Sequence, residues 1–401
     1  MNDAVMTGPV SGLDASGAAC LARARALIPL LQSAAPRIDA GYELPPDVLD
    51  GMHDAGMFRL LIPLVYGGFE LKPSDYVRCV EAIAIGDASA AWCMNQGSGC
   101  SMTAAYLAPD ISREIWGGKR DVLAWGQGPG AKAIRAEGGW YCTGTWSFAS
   151  GSRHATWLGA MCPCFNADGS PVLHPDGKQW DRTMLFRREL AKIDDVWQVM
   201  GLRGTGSDNY AIKDLFVDDA HSVTRESPNE RLETGTLYRF HAMQLYASGF
   251  ACVGLGTARA ALDAFIVLAK GKSQAWSSDR LRDNHAVQHV IGHADAALKA
   301  AKAGLLSVLD DVWEELGRTG ELTVANRIAV RQASTFAIHT AREVVHHIYH
   351  EAGSTAIFNN QPFERRLRDM NSVSQQLQGR RTHFETVGLY LLGGEPNLRW
   401  V

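Results

Sequence analysis

The chain has 401 residues, 46% of them hydrophobic and 20% charged, which is enough apolar material for a sizeable core spread over two or three sub-domains. Lys and Arg number 39 against 43 Asp and Glu, for a formal net charge of −4. This composition excludes a disordered or fibrous chain, and the charge balance excludes the basic surface that duplex nucleic acid demands.

Up to about Ala15 the residues are small and lack a periodic apolar face, which predicts a loose terminus. From Ala18 the spacing turns helical, with Leu21, Arg25, Ile28 and Leu31 on one stripe. Pro45 and Pro46 open a helix over 47–57 in which Val48, Met52 and Ala55 share a face. After the turn Tyr66-Gly67-Gly68-Phe69, the sequence Pro73-Ser74-Asp75 starts another, aligned on Tyr76, Val80 and Ile83. Two stretches, Ala88 to Pro109 and Phe240 to Ala258, lack Asp, Glu, Lys and Arg for about the length of a membrane span. Both carry polar groups that lipid cannot satisfy, among them Asn95, Gln96, His241 and Gln244, so both are expected as core helices with no membrane role.

Past Gly138-Gly139 the period changes to two. Trp140, Cys142, Gly144, Trp146 and Phe148 fall on one side of a strand, and Tyr141, Thr143, Thr145 and Ser147 on the other. Segments 157–162, 183–186 and 210–217 read as further strands separated by Gly, Asp and Pro turns. Helical spacing then returns from Phe240. Val287, Val290, Ile291, Ala294, Leu298, Ala301, Leu305, Val308, Leu309, Val312 and Leu316 follow one face of a helix of roughly eight turns. Segment 327–351 repeats this with Ile328, Phe336, Thr340, Val344 and Ile348, and two long helices with short connections predict an antiparallel bundle. The expected fold class is α+β, with a helical domain over 1–120, a β domain over 121–225 and a helical bundle over 226–401.

Eight cysteines include no CxxC pair, and Cys162-Pro163-Cys164 lacks a second pair, which predicts reduced thiols in a cytoplasmic protein and no structural zinc. His346, His347 and His350 cluster on a helix, but only Glu351 adds a further ligand type, so no metal is expected.

Three passages resemble one family. Trp140 to Gly151 is similar to the β-domain stretch that lies against a flavin ring in the acyl-CoA dehydrogenase superfamily. Met200-Gly201-Leu202-Arg203-Gly204-Thr205-Gly206-Ser207 resembles the turn before its last β-domain strand. His350 to Ile357, followed by Arg368-Asp369, resembles the loop that a neighbouring subunit presents to the flavin. The resemblance covers nearly the whole chain and implies an N-terminal helical domain, a small central β-barrel or sandwich and a C-terminal antiparallel bundle.

Dehydrogenases of the superfamily need a carboxylate base, commonly in a Tyr-Glu-Gly element soon after the Arg-Asp pair. Here 370–378 reads Met-Asn-Ser-Val-Ser-Gln-Gln-Leu-Gln, with no carboxylate. The Ser150-Gly151 turn, preceded by Trp146 and Phe148, together with Gly353-Ser354-Thr355, instead resembles the two-component flavin-dependent monooxygenase branch. That branch implies reduced FMN or FAD from a separate NAD(P)H-flavin reductase, and reaction with O2 to a C4a-(hydro)peroxide. One oxygen atom then passes to an aromatic or heteroatom-containing small molecule, in a homotetramer.

On this resemblance Ser150 is the hydrogen-bond donor beside the ring, while Gln376 and Asn371 stand where the branch often has histidines. Trp125, Gln127, Phe148, Ala149 and Gly151 are expected to contact the flavin from one protomer. Gly353, Ser354 and Thr355 do so from another, and Lys272, with Arg280 and Arg282, is expected at the flavin phosphate. Trp92 and Asn95 are expected in the substrate cavity wall, against a competing role in core packing. His383, among Arg380, Arg381 and Glu385, reads as lying on a solvated face. Two alternatives stay open at this level: a flavin dehydrogenase acting on an acyl thioester, and a non-catalytic flavin-binding relative.

Overall fold

The computed structural model describes residues 12–174, 177–225, 227–273 and 279–398; residues 1–11 of the expected loose terminus lie outside this set. Among the described residues the chain opens with helices α1 (Gly17–Ala26), α2 (Ile28–Gly41), α3 (Pro46–Asp54), α4 (Pro73–Gly86), α5 (Ala88–Ser101) and α6 (Pro109–Trp116). The first stripe is not the one the spacing predicts. The helix breaks at Leu27, ahead of Pro29, so its phase restarts; Cys20, Ala24, Leu31, Ala34 and Ile38 are buried, while Arg25 points to solvent. Asp87 caps α5 by accepting from the Ala90 N–H at 3.0 Å, and its other oxygen pairs with Arg365 at 3.2 Å. One side chain thereby starts α5 and ties it to the far end of the sequence.

The β region contains β1 (Leu123–Trp125), β2 (Lys132–Ala136), β3 (Gly139–Ala149), β4 (Trp157–Phe165), β5 (Asp181–Arg187), β6 (Lys192–Asp194), β7 (Asp208–Asp218) and β8 (Ser222–Val223). They form one sheet in the order β6-β7-β3-β2-β4-β5-β8, with β1 pairing β4 in parallel. The β2–β4 pair is also parallel and the other ladders are antiparallel. Trp140, Cys142, Trp146, Leu158, Ala160 and Met184 fill the core between its curled faces.

The C-terminal part consists of α7 (Ala242–Gly271), α8 (His285–Thr319), α9 (Val324–Ala352), α10 (Phe363–Gln375) and α11 (Thr382–Leu391). Helix α7 is apolar enough by length and composition to cross a membrane, yet it is mostly enclosed by α4, α5, α8, α9 and α10. The stripe expected on α8 is the buried one, from Val287 through Leu298 and Leu309 to Leu316. On α9 Phe336 departs from expectation: it is 53% exposed, because the buried face is set by Thr335, Ala337, Ile338 and Ala341, which turn it outward.

Candidate active site

The predicted alternation of β3 holds from Trp140 to Trp146 and then fails. Its ladder with β7 slips between Trp146 and Ala149, and Phe148 takes the left-handed region at φ +60°. Instead of joining Trp146 in the core, Phe148 is 67% exposed, with its ring edge-on to Trp197 at 6.2 Å, and Ala149 takes the buried place. A bulky residue in that conformation costs on the order of 1–3 kcal/mol, a strain of the kind that collects at working sites. Gln127 lies alongside, its backbone exchanging two 2.8 Å bonds with Ser147. That approach needs the flanking glycines: a Cβ at Gly126 would stand 2.4 Å from the Ser147 oxygen, and one at Gly128 2.3 Å from the Trp146 indole nitrogen. Trp125, Gln127 and Phe148 thus share one edge, with the Gln127 side chain in solvent.

Ser150, next to that edge, is buried in a directed chain of hydroxyls. Thr205 Oγ1 donates to the Leu202 carbonyl at 2.8 Å, which spends its proton. Ser207 Oγ, 2.7 Å away, must then donate to Thr205, and Ser150 Oγ, a further 2.7 Å off, donates to Ser207. Trp92 Nε1, which can only donate, closes the chain on Ser150 at 2.9 Å. Trp92 and Ser150 are 58 residues apart in sequence, and the two expected site residues meet directly. Gly151 follows at φ +81°, its N–H bonded to the Thr205 carbonyl. Beside it lies His154, whose Nε2 is sealed from solvent without a partner among the described residues; burial pushes this imidazole down to about 3, so it is neutral.

The chain ends on a turn held from the bundle. Leu202, itself at φ +54°, donates its N–H to Asp369 Oδ1 at 2.7 Å. Gly201 packs so closely that a Cβ there would sit 2.2 Å from the Arg368 carbonyl oxygen, and the Arg368 guanidinium reaches the Met200 oxygen at 2.7 Å. Burial raises Asp369 to about 7, with Arg365 opposing. The Met200–Ser207 turn and the Arg368-Asp369 pair, separate motifs in the sequence, form one anchor.

From Trp92 an aromatic wall runs along α7. Its ring lies 4.0 Å from that of Phe250, which stacks on Tyr246 at 5.9 Å. The Tyr246 ring leaves no space for a side chain at Gly99, where a Cβ would approach to 2.4 Å. Below it a space of about 10 Å³, room for about one water, is lined by Gly99, Met102, Thr103, Trp125, Arg225 and Phe240. Asn95 sits elsewhere. It is fully buried, accepts from the Tyr76 hydroxyl, and presses against Gly249 in the helical core.

Gln376 spends Oε1 on the Gln378 N–H at 2.9 Å, and its Nε2 is enclosed without a partner among the described residues. Helix α10 runs back along α7: Met370 lies against Gly254, and Gln378 reaches the Met243 sulfur, which sets the Gln376 turn against the segment bearing Tyr246 and Phe250. Asn371 points away, bonded to His346 Nε2 at 3.2 Å and to the Leu367 oxygen at 2.8 Å. His383 is not on a solvated face: it is 5% exposed, its Nε2 meets the Leu377 carbonyl at 2.8 Å, and burial lowers it to about 4.

The remaining expected residues gather at the other end of α7. Lys272 Nζ donates to Thr355 Oγ1 at 2.7 Å and to the Ala352 oxygen at 3.0 Å. Gly353 has φ +60° and open space around it, Ser354 is exposed, and Ile357 and Phe358 are 61% and 58% exposed. Arg280 and Arg282 are exposed, the latter 3.4 Å from Asp283. Helix α7 has 30 residues, so Lys272 stands roughly 30 Å from the level of Phe250, Trp92 and Ser150. Within one chain these two groups cannot touch the same ring.

The Ser150 edge fits a planar heteroaromatic ring. Exposed Phe148 and half-buried Trp125 give flat apolar contact, and Ser150 brings a redirectable proton. Sequence reasoning missed Ser207, although it closes a motif already singled out.

Residues 25–113 match the family model described as acyl-CoA dehydrogenase, N-terminal domain, and residues 248–378 match acyl-CoA dehydrogenase, C-terminal domain. The chain is 28% identical to an indole-3-acetate monooxygenase of Pseudomonas putida, covering 96% of this chain and 97% of that one. It is 26% identical to the oxygenase subunit HsaA, a flavin-dependent monooxygenase of Rhodococcus jostii, over 87% and 92% of the two chains. Among solved structures, XiaF from a Streptomyces species, in complex with FADH2 and glycerol, superposes with a TM-score of 0.86. It has 20% identity and covers 95% of this chain and 96% of its own, a likeness of fold.

Proposed function

The chain belongs to the acyl-CoA dehydrogenase superfamily, in its flavin-dependent monooxygenase branch, and from that premise we propose that it is the oxygenase component of a two-component system. It takes reduced FMN or FAD from a separate NAD(P)H-flavin reductase and places one atom of O2 on an aromatic or heteroatom-containing small molecule. The observation that carries this reading is the directed chain ending at Ser150, which puts a single movable proton beside the exposed Phe148 edge.

Bound reduced flavin supplies the electrons that activate O2. The protein's part is to hold, orient and keep dry. Trp125, Phe148 and Ala149 offer the ring its apolar face, Gly151 lets the backbone come close, and the free Gln127 amide reaches the polar rim. Ser150 can turn its proton from Ser207 to a ring acceptor while Trp92 still holds its oxygen. Gln376 donates a hydrogen bond but moves no proton near neutral pH, which disfavours the dehydrogenase reading, where a carboxylate must stand over the substrate. Asn371 acts one step back, fixing His346 against α10. The Trp92–Phe250–Tyr246 wall excludes water, and Trp92 faces the substrate; Asn95, bonded to Tyr76, supports that wall from behind.

Lys272 and Gly353-Ser354-Thr355 complete the site from a second protomer, since roughly 30 Å separates them from Ser150 within one chain. Exposed Ile357, Phe358 and Phe336 supply apolar surface for that contact, in keeping with a homotetramer. Eight free, buried thiols suit a reducing cytoplasm. The test is stopped-flow mixing of protein and reduced flavin with O2. A transient absorbance distinct from reduced and oxidised flavin is the expected result; oxidation at the free-flavin rate overturns the proposal. The protein should also purify nearly colourless, whereas a dehydrogenase would hold oxidised flavin and purify yellow.

A further inference from the structure

Gln376 stands at the head of a single 3-10 turn, Leu377–Gly379, and three other helices hold that turn from outside. His383 Nε2 on α11 meets the Leu377 carbonyl at 2.8 Å, and His339 Nε2 on α9 meets the Gly379 carbonyl at 3.0 Å. A carbonyl only accepts, so both imidazoles donate there. Burial pushes His383 down to about 4 and lowers His339 as well, so each ring is neutral and gives its one N–H to this turn. Between them the Gln378 amide is gripped from two sides, its oxygen by Arg331 of α9 and its nitrogen by the Met243 sulfur of α7 at 3.0 Å. Gly379 packs so closely on α10 that a Cβ there would lie 2.6 Å from the Ser374 oxygen.

What the turn controls is the direction of one amide. Gln376 Oε1 accepts the Gln378 N–H at 2.9 Å, and in a planar amide a fixed Oε1 restricts where Nε2 points. Nε2 carries two N–H groups and has no partner among the described residues, although buried polar atoms are nearly always paired. The contacts around it hold the turn, and this donor is left over. We propose that His383 and His339 are positioning residues, which hold the Leu377–Gly379 turn so that the Gln376 amide keeps one direction and offers its free N–H to an acceptor atom of the bound flavin. This rests on the oxygenase reading for the acceptor, but not for the hold on the turn. Each histidine acts on Gln376 through the backbone, and a donor aimed before the reaction needs no ordering during it.

The hold is read without flavin, by hydrogen exchange of the Gln378 and Gly379 amides, which bond to Gln376 Oε1 and to the Gln376 carbonyl. His383→Phe keeps the bulk of a ring and removes the donor. It should speed exchange in segment 371–381 about fivefold, with α7 and α9 unmoved. His383→Gln, which still donates, should restore most of the protection. The consequence is read in the lifetime of the O2-dependent transient. His383→Phe should shorten it about tenfold, and should shorten it no further in a Gln376→Ala background, because a residue acting only through Gln376 then has nothing left to position. Unchanged exchange in both His383→Phe and His339→Phe overturns the proposal. Equal shortening with and without the Gln376 side chain also overturns it, since that marks a general loss of structure. Should His383→Phe not fold, the same cycle is run with His339→Phe, at a half-buried position. A wild type without a transient sinks the oxygenase reading and its acceptor, while exchange still decides the hold; a normal wild-type transient that His383→Phe leaves unchanged sinks the positioning role alone.

Discussion

The Ser150 edge and the Gly353 loop are the two ends of one expected site, and they are built on opposite terms. Around Ser150 the chain satisfies itself: hydroxyls, an indole and a backbone carbonyl use up one another's donors and acceptors over a strained strand end. Around Gly353 there is open space, with two large apolar side chains in solvent and a lysine holding the loop in shape. The first end is finished by folding and the second waits for another molecule. Preorganisation is therefore concentrated where chemistry is expected, and surface is left exposed where assembly is expected.

That contrast can be broken at either end. Ser150→Ala removes the movable proton and should shorten the O2-dependent transient by about 10- to 100-fold, the range for losing a bond to a developing charge; an unchanged lifetime takes Ser150 out of the mechanism.

Asp369 links the finished end to the bundle, and its sign is opposite to that of an ordinary carboxylate. Burial holds it at about 7, whereas the unfolded chain releases that proton near the usual value of about 4. The fold therefore binds the extra proton between those limits. Its stability should fall as pH rises from about 4 to about 7, by on the order of 4 kcal/mol, and level off above. Asp369→Asn, which can still accept from Leu202, should flatten that slope in urea titrations followed across pH, and a parallel slope in both proteins would assign it to other groups.

At the unfinished end, Lys272→Ala should weaken reduced-flavin binding about tenfold with little change in thermal stability, read by flavin titration and melting. Mixed assemblies of Ser150→Ala and Lys272→Ala subunits sharpen the comparison further. If a site draws on two protomers, some sites in the mixture regain both groups and activity returns; if each chain serves itself, it does not. The smallest functional effect is expected for Tyr76→Phe. It leaves Asn95 without its donor and should cost about 1 kcal/mol of stability, with the KM for the aromatic substrate unmoved. A raised KM would bring Asn95 forward into the cavity.

Much of this was legible along the chain. Helical period gave the buried faces of α4 and α8, period two gave β3, and the Trp-Ser-Gly and Gly-Ser-Thr passages marked both ends of the proposed site. Failures came where local pattern met a non-local neighbour. Phe148 left its face because a bulge rotated the backbone, the α1–α2 stripe shifted phase at Leu27, and Phe336 turned outward. His383 was misread because the charges beside it in sequence are not its neighbours in space: its ring is buried against the Leu377 carbonyl.

By itself, the sequence determined the elements, their order and the residue types available for chemistry, because periodicity and glycine or proline placement act over a few residues and need no partner. Only the tertiary structure decided which of those residues work together. Trp92 orients Ser150 across 58 residues, the Asp369 anchor joins two distant motifs, and Arg182 finds its acid in Glu230, 48 residues on. A hydrogen-bond direction or an unpaired charge is a property of what lies within a few ångströms in space, and chain order does not carry that information.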